Sequence, residues 1–251
     1  MTALSVSLVT FALVFGGALL GTYLRSALSE HHFREDVRDV IKLSTGLIAT
    51  MAALVLGLLI ASAKSSFDTK STQIKQITAN IILLDFDLER YGSDAQNLRI
   101  LLRSAIPPLI DRIWNEDDRA KSSAYSATVE SYELVNKIQQ LQPNNDSQRD
   151  LRTEILATVT NLAQARVSLF TQSNDSIPMP FLVILIFWLA IIFMSFGLFV
   201  RPNRIVAVTF FVSGLSVASA IFLILEMGQP FKGLMQISNE GSLHALAPLG
   251  P

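Results

Sequence analysis

The chain has 251 residues, 50% of them hydrophobic and 16% charged, with a formal net charge of −1 and a mean hydropathy of +0.42. Soluble domains of this size rarely carry so few charges, so the composition points to an integral membrane protein. The lack of cysteine excludes disulfides and thiolate metal sites, and no Lys/Arg run marks a nucleic-acid partner.

Four stretches are long enough to cross a hydrocarbon core of ~30 Å, which needs about 20 apolar residues. They are Leu4–Leu24, Leu43–Ala63, Phe181–Val200 and Ile205–Leu225. The first has no basic segment before it and no A-x-A-like site after it, so it reads as a retained span rather than a cleaved signal. The loop that follows carries Arg25, Arg34, Arg38 and Lys42. His31 and His32 also lie there. Adjacent histidines on a helix point to different sides, so they read as solvated surface and not as a metal pair; His244 stands alone near the C-terminus.

The second span lies in "IKLSTGLIATMAALVLGLLIASAKSSFDTK", uncharged between Lys42 and Lys64. At the helical angle of ~100° per residue, Gly46, Ala49, Thr50, Ala53, Gly57 and Ala61 gather on one side, while the large apolar side chains mostly cover the other. Two readings follow. Small residues four apart let two helix backbones approach closely, which makes a packing groove. They also leave room for ions and water, which makes a pore wall. Lys42 and Lys64 share the angular sector of the small residues, one at each mouth, as an anion path would use them.

Residues 64–176 hold 13 Lys and Arg against 15 Asp and Glu. Ile74, Ile77, Ile81, Leu84, Leu88 and Tyr91 recur at alternating three- and four-residue steps, and Leu151, Ile155, Thr158, Leu162, Ala165 and Leu169 do the same. Between these stripes lie a segment around Leu98–Trp114, predicted to kink or stop at Pro107-Pro108, and one around Ala120–Leu141. "QPNNDS" reads as a turn with Asp146 or Ser147 as the next N-cap. The expectation is an antiparallel bundle of four helices. No Gly or Pro falls between Leu58 and Tyr91, so the second span should continue into the bundle as one rod. "DFDLE" (Asp85, Asp87, Glu89) has the alternate spacing of a calcium loop but lacks its glycine, and it reads as a solvated face.

Pro178 and Pro180 make the link into the third span extended. The fourth span has a polar sector, Ser213, Ser216 and Ser219; back-bonding to the helix carbonyls accounts for it as well as a polar lining does. Glu226 ends that span, and the choice there is between a paired site at the pore mouth and a side chain reaching to the headgroups. The tail 228–251 is mildly apolar and is expected to lie at the membrane interface. The basic residues of the two short loops, Arg201 and Arg204 included, place those loops in the cytoplasm. The bundle and both termini are then extracytoplasmic.

Three segments carry a family resemblance: "ALVLGLLIASAKSSFD", "SLFTQSNDSIPMPFLVILIFWLAIIFMSFGLF" and "AIFLILEMGQPFKGLMQIS". They resemble a bestrophin-like family of bacterial integral membrane proteins of unknown function. The resemblance implies a multi-pass protein of the bacterial inner (plasma) membrane. It also implies kinship with bestrophins, which are oligomeric anion channels with pores lined by the second span.

The expected architecture is therefore all-α, an integral membrane protein with four transmembrane helices and an inserted extramembrane helical bundle. No G-x-S-x-G, H-E-x-x-H or Gly-rich phosphate loop is present, and no enzyme, cofactor or metal is predicted. Partners are the lipid bilayer, inorganic ions and further copies of the chain. The functional expectation is an oligomeric ion channel or pore, anion-preferring, lined by the second span. The alternative is a non-conducting sensor or scaffold whose bundle works through a partner protein.

Overall fold

The computed structural model describes residues 2–27, 35–114, 133–171 and 179–247. Expectations for His31, His32, Arg34, most of Ala120–Leu141 and the link through Pro178 lie outside them. The helices are α1 (Ala3–Ala27), α2 (Glu35–Tyr91), α3 (Gln96–Trp114), α4 (133–139), α5 (Asp146–Thr171), α6 (Met179–Phe199), α7 (Arg204–Met227) and α8 (Glu240–Leu246). No strand occurs among the described residues. Helices α1, α2, α6 and α7 are long and apolar enough to cross a membrane. The chain is an all-α integral membrane protein with a helical bundle inserted between its second and third spans. It divides into two compact units, one of residues 1–66 and 176–229 and one of residues 67–175 and 230–251.

In the first unit α1 packs against both α6 and α7. The α1–α6 contact depends on missing side chains. A Cβ on Gly17 would stand 2.9 Å from the carbonyl oxygen of Ala190. A Cβ on Gly21 would overlap the carbonyl oxygen of Met194, and one on Gly197 that of Ala18. Gly17 and Gly21 are one helical turn apart, so a single face brings both to the partner backbone, the usual means of joining helices where no hydrophobic force separates them from lipid. On the α7 side, Phe11 and Phe15 stack at 5.6 Å and both meet the edge of Phe211, at 5.3 and 5.8 Å. Arg25, in the last turn of α1, donates from Nη1 to the carbonyl of Leu198 at 3.1 Å, satisfying one of the orphan carbonyls at the end of α6.

Helix α2 has 57 residues. At 1.5 Å per residue a hydrocarbon core of ~30 Å takes up about 20 of them. The expected continuation beyond the span is present as one uninterrupted helix. It stops at Gly92, whose φ of 104° lies where a side chain is strained.

The second unit is organised around the two predicted stripes. Ile74, Ile77, Ile81, Leu84, Leu88 and Tyr91 are all buried, as are Leu151, Ile155, Thr158, Leu162, Ala165 and Leu169. Leu98, Leu102, Ile106 and Ile113 of α3 and Ile138 of α4 join the same core. The cap of α5 differs by one residue from expectation. Asn145 Oδ1 accepts from the Gln148 amide at 2.8 Å, and Gln148 Oε1 accepts from the Asn144 amide at 2.7 Å, a reciprocal pair like a capping box. Asn145 wins because only it has its acceptor three residues before an amide whose side chain reaches back.

Three further stretches bear on expectations from the sequence. Helix α3 runs through Pro107 and Pro108 to Trp114 without stopping, with Ile106 and Ile113 buried on either side of the pair. The acidic stretch is solvated only at Glu89: Asp85 is 2% and Asp87 4% exposed, while the Glu89 side chain is 58% exposed. The tail does not reserve its apolar residues for the membrane surface. Phe231 and Leu246 are buried in the bundle core, and Trp114 stacks edge-on against Phe231 at 6.1 Å. Trp114 Nε1 also donates to the Ile237 carbonyl at 2.9 Å, and Thr78 Oγ1 donates to Ser242 Oγ at 3.1 Å.

Candidate functional site

The predicted small-residue stripe sits on α2, and three sectors divide that helix within the first unit. Thr45, Ala52, Leu59 and Ala63 are buried, spaced at seven and four residues, and form its packed face. Leu43, Leu47, Leu54 and Leu58 are exposed at 65% or more and form a bulky apolar face. The stripe is the third sector. Gly46, Thr50, Ala53, Gly57 and Ala61 are exposed and Ala49 is partly so. A Cβ on Gly46 or Gly57 would meet nothing within 4 Å.

The contrast with Gly17, Gly21 and Gly197 is chemical as well as spatial. Those glycines are small because another backbone occupies the place of the side chain. Gly46 and Gly57 are small beside open space, so packing inside the protomer does not explain them. Thr50 Oγ1 bonds back to the Gly46 carbonyl at 2.9 Å, which leaves the hydroxyl oxygen's remaining acceptor capacity facing outward on this sector.

The other sequence-predicted residues differ in their surroundings. Lys42 is exposed and lies 3.5 Å from Asp39 Oδ1, with both side chains largely in solvent (63% and 70%), where such a pair contributes little. Lys64 is exposed at the far end of the stripe. Glu226 is 7% exposed in the last turn of α7, so it does not snorkel as a free surface carboxylate. Ser216 and Ser219 donate back to Val212 and Leu215 at 2.9 and 2.8 Å, the ordinary behaviour of serine in a membrane helix; Ser213 is half-buried.

In the second unit, sequence reasoning missed a buried ion cluster. Asp85 accepts from Arg99 Nε and Nη2 at 3.1 and 2.9 Å and from Arg103 Nε and Nη2 at 2.8 and 3.0 Å. Arg99 also reaches Glu89 at 2.9 Å. Burial pushes the Asp85 carboxyl up, but the hydrogen bonds and charges of the two arginines outweigh it and hold the carboxyl below its ordinary value. Asp87 shifts the other way: burial and the nearby Glu154 charge raise it, against a smaller effect of Arg90 at 3.7 Å. The signal was present in the spacing of Arg99 and Arg103, one turn apart on α3. No group of three or more His, Asp or Glu that could hold a metal occurs among the described residues.

Neither the curated proteins nor the solved structures contain a match to the chain. The family model described as the Bestrophin-like domain matches residues 12–242, from the middle of the first span through the other three spans and nearly all of the bundle. The chain belongs to the Bestrophin-like family.

Proposed function

We propose that the chain is an oligomeric ion-conducting protein in which the small-residue face of α2 lines the pore. The observation that carries this reading is the split of α2's exposed surface into a bulky leucine sector and a small-residue sector with nothing against Gly46 or Gly57. Lipid is matched by the leucines. Lipid alone gives no reason for a second exposed sector to be kept small, apart from Ile60, over four turns. One such face per protomer cannot enclose a path, so the conduit forms between copies of the chain, with the bulky sector toward lipid. Lys42 and Lys64 at the two ends favour anions, weakly, because exposed charge is screened within ~8 Å at physiological salt. The short basic loops put the bundle on the extracytoplasmic side of the bacterial inner membrane.

The chain has no cysteine, so single cysteines can be read without background. Ala53→Cys and Gly57→Cys are compared with Leu54→Cys and Leu58→Cys in planar bilayers. A charged, membrane-impermeant methanethiosulfonate should cut current at positions 53 and 57 and leave 54 and 58 untouched. Reaction at neither small position, in a variant that still assembles, refutes the pore and leaves a helix-packing face between protomers.

A further inference from the structure

The bundle unit contains a cavity of about 290 Å³. Ile81 of α2, Leu102 and Ile106 of α3 and Leu162 of α5 form its floor, and each is less than 9% exposed to solvent. Pro108 adds a ring with no N–H to offer. The charged lining consists of Arg112, Lys137, Arg166 and Glu133, three cations against one carboxylate. Glu133 and Lys137 are exposed at the mouth, while Arg112 and Arg166 are half-buried.

This combination narrows what can fill the space. The volume equals that of about ten liquid waters at ~30 Å³ each, yet a floor of isoleucine and leucine provides water with almost no hydrogen-bond partners. A small inorganic anion would meet the cations and leave the floor uncovered. A wholly apolar molecule would cover the floor and make no use of the cationic side of the lining. Ligand sites between bundle helices commonly have this size and this division, an apolar body with a few convergent polar groups. We propose that the bundle cavity is a binding site for a small organic anion with an apolar body, such as a medium-chain or aromatic carboxylate. The anionic head would lie toward Arg112, Lys137 and Arg166 and the apolar body on the α2–α3–α5 floor.

The test uses the full chain in lipid nanodiscs, with octanoate, octylammonium and octanol titrated calorimetrically and empty nanodiscs subtracted. Octanoate should bind saturably, at least tenfold more tightly than the other two. Lys137→Gln combined with Arg166→Gln should weaken octanoate tenfold or more. Ala105→Trp places an indole in the cavity from a lining position that is itself exposed, and should abolish saturable binding with an unchanged melting temperature. Leu101→Trp does the same from the neighbouring turn if the first variant does not fold. Equal binding of octylammonium overturns the charge argument. Octanoate binding that survives the filled cavity, or no saturable binding at all, overturns the site.

Discussion

Replacing Gly197 with alanine should be among the most damaging single-methyl changes available in this protein. The added Cβ would overlap the Ala18 carbonyl oxygen and lie 2.8 Å from the Thr22 nitrogen and 3.0 Å from the Gly21 Cα. All three neighbours are backbone atoms, so no side chain can rotate away and α1 and α6 must separate. Overpacking generally costs about 1–3 kcal/mol, and an obstacle made only of backbone belongs at the upper end. Alanine is the better helix former by up to ~1 kcal/mol, which offsets part of this. A net loss of about 2 kcal/mol corresponds to roughly a 30-fold fall in the folding equilibrium. The partner experiment is Gly57→Ala, where the Cβ meets nothing within 4 Å and the propensity gain stands unopposed in the protomer. Both variants are compared by reversible unfolding in mixed micelles of increasing SDS fraction, under conditions where the protein is monomeric. A Gly197→Ala protein within 0.5 kcal/mol of the parent, or a Gly57→Ala protein as unstable as Gly197→Ala, refutes the division of glycines into packed and open.

Asp85→Ala leaves two arginines with side chains 16% and 25% exposed and no shared carboxylate; Glu89 still holds Arg99, so the expected loss is near the lower end of the 3–5 kcal/mol range for a broken buried pair, read as a lowered urea midpoint of bundle helicity. The pH dependence has opposite signs at the two acids. Asp85 is held below its ordinary 3.8, so its contribution is full above that pH and is lost as pH falls below it. Asp87 is raised above 3.8, so its protonated form favours the fold and a penalty grows as pH rises past 3.8; Asp87→Asn should therefore raise the urea midpoint at pH 7 and not at pH 3. Lys64→Glu should shift the reversal potential toward cations, most clearly at low salt, and an unchanged potential would remove Lys64 from the conduction path. A reporter enzyme that is active only in the periplasm, fused at Asn144, should be active; silence there inverts the proposed orientation.

Much of this architecture was legible because it rests on repeats that one helix carries alone. The spacing of Ile74 to Tyr91 and of Leu151 to Leu169 specifies a buried face whatever the partner is, and every residue of both stripes is buried. The length and apolarity of the spans are equally local. What escaped reading depends on partners far away in sequence. Asp85 looks like any helical surface acid until Arg99 and Arg103 turn back across Gly92 to meet it. Gly17 and Gly21 had the spacing of a packing face, but the signal is identical to that of the α2 stripe. Only the backbone of Ala190 and Met194 distinguishes a filled groove from an open one. The core role of Phe231 and Leu246 escaped reading because both residues are equally compatible with a headgroup layer and a protein core. Choosing between them requires knowing that α3 ends in Trp114 with an indole N–H to satisfy.

The bundle's dependence on Phe231 and Leu246 imposes an order on synthesis. Its core draws on residues 67–175 and then on 230–251, with two apolar spans between the two parts. At ~5–20 residues per second, the 54 residues from 176 to 229 take about 3–11 s to emerge. Helices α2, α3 and α5 can pair within microseconds to milliseconds of becoming available. For those seconds the nascent bundle stands with the Trp114 and Ile113 end of its core uncovered, until residues 230–251 have followed α7 out of the ribosome and closed over it.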